Sequence, residues 1–166
     1  MPNWIHIEDN WDITLSYEWD SVTIQNKNLW AKRVWNYWEN ISEENWGAYF
    51  RFGEANAVEW YHIPSKEEWG KLLYLRAMCN WFEYKEPFAV QDSLMIMQLM
   101  QEFHLPFAWW DDSSIWVIDD WDMHWRYWTS SSIDDDKAYA LRLCWTYAFV
   151  NDFSKQHWYS VRLFKD

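Results

Sequence analysis

The segment that most constrains this fold is the C-terminal quarter, 126–166, in which short β-type runs alternate with polar turns. Its apolar and β-branched residues come in short groups separated by Asp, Ser and Asn, which is typical of short strands joined by turns. We therefore predict a closing series of four strands. Their expected bounds are Tyr127–Ser131, Ala138–Leu143, Ala148–Phe153 and Tyr159–Phe164.

Two helices are predicted between residues 61 and 103. The first is expected over Tyr61–Met78, because Ser65 and Glu68 have the spacing of a capping box. Asp92 is expected to cap the second helix, which runs to about residue 103. The stripes expected to face the core are Trp69, Leu72, Leu73 and Arg76 in the first helix, and Leu94, Met97, Met100 and Phe103 in the second.

The rest of the chain has weaker patterns. Residues 1–19 are expected to be a lead-in segment or a first strand, and residues 20–166 a single domain. Residues 21–33 predict a hairpin, with strands at 22–24 and 29–31 on either side of a polar turn. Residues 34–60 are expected to be a long loop with short strands. Residues 107–124 predict a second long loop, and such loops within compact domains are usually functional.

The composition and charge argue against several classes of protein. Half of the residues are hydrophobic, so a disordered chain is not expected. No apolar run is long enough to cross a membrane, and the first residues do not resemble a signal peptide. The net charge of −12 argues against binding to nucleic acid or to anionic membranes. Cys79 and Cys144 have no motif spacing, which favours free thiols over a disulfide or a metal pair.

Several motifs, taken together and in order, resemble one known family. They are VTIQNKNLWA, YHIPSKEEWGKL, LPFAWW, RYWTSSSIDDDKAYALRL and YSVRLFKD, and they extend over about residues 20–166. This series resembles the Fibrobacter succinogenes major paralogous domain, a family similar to C-type-lectin-like domains and, more distantly, to the formylglycine-generating-enzyme fold. The resemblance implies an α+β, C-type-lectin-like fold. Its expected parts are a mixed or antiparallel sheet, two helices, a long loop region and chain termini that lie close together.

Tryptophan is unusually common in this chain, and glycine is unusually rare. There are 18 Trp and 3 Gly, where average composition predicts about 12 Gly. Members of the family usually carry glycine at four of these tryptophans and tryptophan at three others. The first set is Trp60, Trp109, Trp125 and Trp158, and the second is Trp30, Trp69 and Trp128. We hypothesise that the gene uses UGA for glycine and was read with a code in which UGA means tryptophan. The alternative is a surface that is rich in tryptophan by nature or design.

Catalytic and metal-binding motifs are weak. Acidic residues cluster in the second long loop, and oxygen-rich loops can hold Ca²⁺, but no calcium-loop spacing is present. The five histidines are scattered without a paired spacing, so we predict no metal site and no cofactor, with Ca²⁺ as the alternative. The serines at 130–132 lack the context of a nucleophile, and neither cysteine has a partner nearby in sequence. We therefore predict that the protein is not an enzyme.

A binding function fits the sequence better, since aromatic rings beside polar groups suit both sugar faces and protein epitopes. The resemblance implies a ligand-binding or display module at the cell surface or outside the cell, with a protein or carbohydrate ligand. Two alternatives are a variable binding protein of a diversity-generating retroelement and a structural module of a larger surface protein. We expect no membrane insertion, and a monomer or part of a longer chain. The candidate ligand-binding residues are Trp110, Asp111, Asp112, Asp119, Asp122, His124, Tyr127, Trp128, Asn151 and Asp152.

The recoding hypothesis predicts UGA codons at Trp60, Trp109, Trp125 and Trp158. Sequencing the gene from its source checks this directly. UGG codons at these four positions, with UGG also at Trp69 and Trp128, would show that the tryptophans are genuine.

Overall fold

A computed structural model of the chain describes residues 4–34, 43–105, 125–144 and 146–166. The expected α+β class is confirmed: these residues form two open sheets, two longer helices and a single-turn helix. The strands are β1 (Ile5–Ile7), β2 (Ile13–Tyr17), β3 (Asp20–Ile24), β4 (Tyr49–Phe50), β5 (Tyr61–His62), β6 (Tyr84–Lys85), β7 (Ala89–Val90), β8 (Trp125–Ser132), β9 (Lys137–Leu143), β10 (Ala148–Ser154), β11 (Tyr159–Ser160) and β12 (Phe164–Lys165). The helices are α1 (Glu43–Trp46), α2 (Lys66–Cys79) and α3 (Ser93–Glu102).

The first sheet has the order β1-β2-β3-β12-β5 and contains both ends of the described chain. Two strands separate β1 from β12, which at the usual strand spacing is roughly 15 Å. The hairpin predicted over residues 21–33 is wrong. Residues 22–24 belong to β3, which pairs with β2, and no strand is formed at 29–31. Instead Leu29 is buried and its N–H donates to the Val161 carbonyl at 2.8 Å.

The second sheet has the order β4-β11-β8-β9-β10-β7-β6. The first three predicted closing strands are confirmed as β8, β9 and β10, which form an antiparallel meander. The fourth, predicted over Tyr159–Phe164, is divided in two. Its first part, β11, pairs parallel with β8, and its second part, β12, pairs in the other sheet. Residues 161–163 cross between the sheets with their side chains buried.

The capping box of α2 is confirmed. The Glu68 N–H donates to Ser65 Oγ at 3.2 Å, and the Ser65 N–H donates to Glu68 Oε2 at 2.7 Å. The helix begins at Lys66 rather than at Tyr61, because Tyr61 and His62 pair with β12. All four residues of the predicted stripe are buried: Trp69, Leu72, Leu73 and Arg76.

The start of α3 is confirmed, but its buried face differs from the prediction. Asp92 Oδ1 accepts the Met95 N–H at 2.8 Å, so Asp92 is the N-cap. Met100 and Phe103 are buried as predicted, whereas Leu94 is exposed and Met97 is half-buried. Met95, Ile96 and Leu99 complete the buried face. At its C-terminal end α3 also forms an ion pair with α2, in which Arg76 Nε donates to Glu102 Oε2 at 2.6 Å. Apolar residues occur on most sides of α3, so the hydrophobic pattern of the sequence alone does not show which side of the helix is buried.

The tryptophans fall into two physical groups. Trp69 and Trp128 are buried in the core, as expected for tryptophans that match the family. Among the described residues, seven other than glycine have positive φ, and four of them are tryptophans with 71–84 % of their surface exposed. These four are Trp11, Trp30, Trp60 and Trp81. Left-handed backbone favours glycine, because other L-residues there bring Cβ too close to a carbonyl oxygen.

The backbone at these positions can be compared with the glycine and tryptophan assignments made from the sequence. Trp60 has φ of +69°, as a glycine position would. Trp125 is 2 % exposed within β8 and packs in the core, so replacing it with glycine would remove a large buried side chain. Trp30, assigned as a tryptophan that matches the family, has φ of +66° and an exposed ring. Trp158 is partly exposed without positive φ, and Trp109 lies outside the described residues.

Replacing Trp60 or Trp81 by glycine is expected to stabilise the protein by about 1 kcal/mol, because left-handed backbone costs a side-chain-bearing residue about 1–2 kcal/mol. For a chain of this size, that change raises the melting temperature by about 2–4 °C. Trp19→Gly is the matched control, since this ring is fully exposed but its backbone has no positive φ. We expect no gain from it. Thermal unfolding of the three variants makes the comparison, and equal shifts at all three positions would contradict the strain argument.

Candidate functional site

Alternation along the β8–β10 meander places a group of large side chains on one face. Arg126 and Arg142 are directly opposite each other on β8 and β9, and Arg142 is opposite Phe149 on β10. Directly paired residues project to the same side of a sheet, and so do residues two apart along one strand. Asn151 and Phe153 therefore share this side with Phe149. Trp128, Ala138 and Ala140 lie on the same side and are buried. We call the partly exposed residues on this side the arginine face: Arg126, Arg142, Phe149, Asn151 and Phe153.

Arg126 lies between two aromatic rings. Its Cζ atom is 5.2 Å from the ring centroid of Phe153 and 5.5 Å from that of Tyr159. Phe153 is two strands away, and the side chain can cross β9 because the intervening Ala138 and Ala140 carry only methyl groups. The position is favourable for a cation over the faces of aromatic rings.

The Arg126 guanidinium lacks hydrogen-bond partners. Its Nε atom is buried without one, and no hydrogen bond or ion pair within the described residues uses this side chain. Burial lowers the pKa of Arg126 from its usual value, and the nearby positive charge of Arg142 acts in the same direction. Burial also raises the pKa of Tyr159 to about 12, so this ring stays neutral. Arg126 is therefore a half-buried cation with no hydrogen-bond acceptor among the described residues.

Arg142 is the second cation of this face. Its Cζ atom is 5.6 Å from the Tyr147 ring and 5.7 Å from the Phe149 ring. These two rings are stacked, with centroids 5.1 Å apart. Arg142 is therefore held against these two rings at the register position opposite Arg126.

The structure places four of the predicted ligand-binding residues. Tyr127 and Trp128 are almost fully buried, and Trp128 Nε1 donates to the Phe50 carbonyl at 2.7 Å, so both pack in the core rather than on an exposed surface. Asn151 is exposed on the arginine face. Asp152 projects to the opposite side of β10, where Lys137 Nζ donates to its Oδ2 at 2.9 Å. The predicted residues Trp110, Asp111, Asp112, Asp119, Asp122 and His124 lie outside the described residues.

The acidic turn and the two cysteines considered in the sequence make contacts with nearby backbone groups. Asp134 Oδ1 accepts the N–H groups of Asp136 and Lys137, which fixes the turn between β8 and β9. Cys79 and Cys144 are free thiols with different neighbours, since Cys79 Sγ is 3.8 Å from the Ser16 carbonyl and Cys144 Sγ is 3.4 Å from that of Tyr147. Within the described ranges, no group of three His, Cys, Asp or Glu side chains could hold a metal ion.

Sequence reasoning missed Arg126 and Arg142. The signal available was an arginine between apolar residues within a strand, as in WRYW and ALRLC. Such a pattern places a cation on a sheet among large side chains, but it does not reveal that two such strands pair with their arginines in register.

A second polar cluster connects β5, α2 and the end of the chain. His62 Nε2 is 2.6 Å from Glu68 Oε1, and His62 Nδ1 is 2.8 Å from Asp166 Oδ1. Burial alone would lower the pKa of His62, but hydrogen bonds to Asp166 and Glu68 outweigh it and the pKa is raised. For Glu68, burial is likewise outweighed by the Ser65 N–H and by His62, so its pKa is lowered.

No family model, curated protein or solved structure matches this chain. Across the described residues, no helix is both long and apolar enough to span a bilayer.

The His62 cluster predicts a pH-dependent part of the stability. A raised pKa in the folded state means that the contribution of His62 is complete below about pH 6.5 and is lost as the pH rises through the folded pKa. The contribution of Glu68 is present above about pH 4.3 and is lost as the pH falls through its lowered value. His62→Asn is expected to flatten the decline in stability between about pH 6 and pH 8. Because His62 is partly exposed, the effect should be a few tenths to about 1 kcal/mol.

Denaturant unfolding across this pH range measures the effect. His6→Asn is the control, because His6 is exposed and makes no ion pair within the described residues. Its profile should follow that of the unmodified protein. Identical profiles for the unmodified protein and His62→Asn would rule out the proposed linkage.

Proposed function

We propose that this protein is a non-catalytic ligand-binding or display module with a C-type-lectin-like fold, acting at the cell surface or outside the cell. The architecture supports the fold proposal, because α2 packs against strands of both an antiparallel and a mixed sheet, and the first and last strands share one sheet. The motifs that resemble the major paralogous domain extend over the same elements, and a long segment separates α3 from β8.

The observation that carries the binding proposal is the arginine face. It lies on strands that are extensively hydrogen-bonded, since β9 and β10 pair over seven residues in one register. Its aromatic and cationic side chains are partly exposed, although neighbouring apolar residues on the same sheet are fully buried. Arginine and aromatic residues are enriched where proteins bind partners, and a rigid sheet holds them in a fixed arrangement.

The contacts of the candidate nucleophiles support a non-catalytic role. Ser131 Oγ accepts the Lys66 N–H at 3.0 Å, which supports the start of α2, and Thr129 Oγ1 donates to the Tyr139 carbonyl at 2.9 Å. A nucleophilic mechanism requires a base beside the nucleophile, whereas these hydroxyls bind backbone groups.

Screening the intact protein against glycan arrays and surface-protein extracts tests this function. Neighbouring residues on opposite sides of β10 then locate the interaction. Asn151→Ala on the arginine face is expected to weaken binding of a recovered ligand about 3- to 10-fold, which corresponds to loss of about one hydrogen bond. Asp152→Ala, on the opposite side, should leave binding unchanged.

Two results would contradict the proposal. Equal losses in Asn151→Ala and Asp152→Ala would place the interaction elsewhere. Failure to recover any ligand in either screen would favour a purely structural module of a larger surface protein.

A further inference from the structure

We propose that His62 acts as a pH-sensitive latch, which holds Asp166, the residue after β12, while the imidazole is charged and releases it when the imidazole is neutral. The latch lies on the first sheet and does not depend on the proposed binding function. Deprotonation of His62 lowers the stability of the whole protein, and the latch assigns this loss to one contact at one end of β12.

Strand pairing places His62 between α2 and the end of β12. His62 is directly opposite Phe164 in register, so the two side chains project to the same side of the first sheet. Helix α2 packs on this side, since the Trp69 and Phe164 ring centroids are 4.9 Å apart. His62 therefore lies within reach of Glu68 in the first turn of α2 and of Asp166 beyond β12.

The two contacts of the ring require two protons. His62 Nε2 is 2.6 Å from Glu68 Oε1, and Nδ1 is 2.8 Å from Asp166 Oδ1. An ionised carboxylate only accepts hydrogen bonds, whereas a neutral imidazole has one N–H and one bare nitrogen. Both contacts are therefore attractive only in the charged imidazole. Burial alone would lower the pKa of His62, but the hydrogen bonds to Asp166 and Glu68 raise it, in agreement with this geometry.

The two carboxylates differ in how firmly they are held. The Ser65 N–H donates to Glu68 Oε2 at 2.7 Å, so the capping box fixes Glu68 independently of His62. The Asp166 side chain is 59 % exposed, compared with 36 % for Glu68, and its carboxylate has no other hydrogen bond or ion pair within the described residues. The neutral ring therefore keeps its proton on Nε2 toward Glu68. Its bare Nδ1 then faces an acceptor, and Asp166 is released as the pH rises through the pKa of His62.

The other titratable groups on the elements around His62 have different partners or directions. They are Lys66 and Glu67 on α2, Tyr61 on β5 with Asp12, Lys165 on β12, and Asp20 on β3 with Lys71. Lys66 Nζ is 3.7 Å from Glu67 Oε1 and 4.4 Å from the Tyr139 ring centroid. Tyr61 and Lys165 are opposite each other in register and project to the other side of the sheet from His62.

The contacts of the remaining groups are equally local. The Tyr61 hydroxyl donates to Asp12 Oδ2 at 2.6 Å, and Lys71 Nζ is 2.5 Å from Asp20 Oδ1. Glu68 and Asp166 are thus the carboxylates that respond to the charge of His62.

The first test follows the two ring nitrogens of His62 in the intact protein by ¹⁵N NMR, from about pH 5 to about pH 9. We expect both nitrogens to be protonated at the acidic end, and the proton on Nδ1 to be lost as the pH rises while Nε2 stays protonated. Loss of the proton from Nε2, or a neutral ring throughout, would overturn the proposal.

The same samples report on the release of Asp166. Its backbone order parameter should fall from about 0.85, typical of rigid backbone, to below about 0.6 as His62 becomes neutral. Phe164 is the internal control, because it is buried and paired with strands on both sides, and it should stay rigid. Equal order of Asp166 at both ends of the pH range would contradict the latch.

Matched variants then separate the latch from a general effect of charge. In Asp166→Asn the side-chain amide can accept from a protonated Nδ1 or donate to a bare one, so the change in order with pH should disappear. The His62 titration should move to lower pH, because a neighbouring negative charge is lost. Asp152→Asn is the control, since Asp152 is a carboxylate held by a different cation, with Lys137 Nζ at 2.9 Å.

The control variant should leave both the His62 titration and the order of Asp166 unchanged. Equal shifts of the titration in Asp166→Asn and Asp152→Asn would indicate a general effect of net charge and would end the proposal. Melting curves of both variants verify that they are folded.

Discussion

The packing of the two sheets depends on one fully buried cation, Arg162. It lies where the chain crosses from β11 in the second sheet to β12 in the first. Its guanidinium donates to Asn28 Oδ1 at 2.9 Å, to the Gln25 carbonyl at 2.7 Å, and to the Phe103 and His104 carbonyls at 3.2 and 2.7 Å. Burying a charge is unfavourable unless its donors are satisfied, and here four oxygens satisfy them. Burial lowers the pKa of Arg162 to about 10, with partial compensation from Tyr127, so the group stays charged at neutral pH.

Arg162 also completes the end of α3. The carbonyls of Phe103 and His104 lie just beyond the last helical residue, where intrahelical partners run out and the helix dipole is negative. A single side chain therefore connects the loop after β3, the C-terminal end of α3 and the crossing segment. By fixing that segment, it holds β11 beside β8 and brings the Tyr159 ring against Arg126. The position of the Tyr159 ring beside Arg126 therefore depends on how the segment between β11 and β12 is packed in the core.

The two arginines of that face differ from Arg162 in how their charge is accommodated. Arg162 is surrounded by oxygen acceptors, whereas Arg126 is surrounded by aromatic rings and faces a second cation. Apolar or neutral side chains at positions 126 and 142 would cover the same part of the sheet without introducing charge. The arginine face includes none of the tryptophans with left-handed backbone.

The sequence by itself determined the α+β class, the caps of α2 and α3, the stripe of α2 and the strands of the meander. These features depend on residues close together in the sequence, such as Ser65 with Glu68 or the alternating residues of β9. Local hydrogen bonds and hydrophobic periodicity can therefore be read from the order of the residues. Only the tertiary structure decided that β3 pairs with β2, that α3 buries Met95, Ile96 and Leu99, and that Tyr127 and Trp128 lie in the core. It alone placed Arg126 opposite Arg142, because strand register joins residues far apart in sequence and is set by how whole faces are buried.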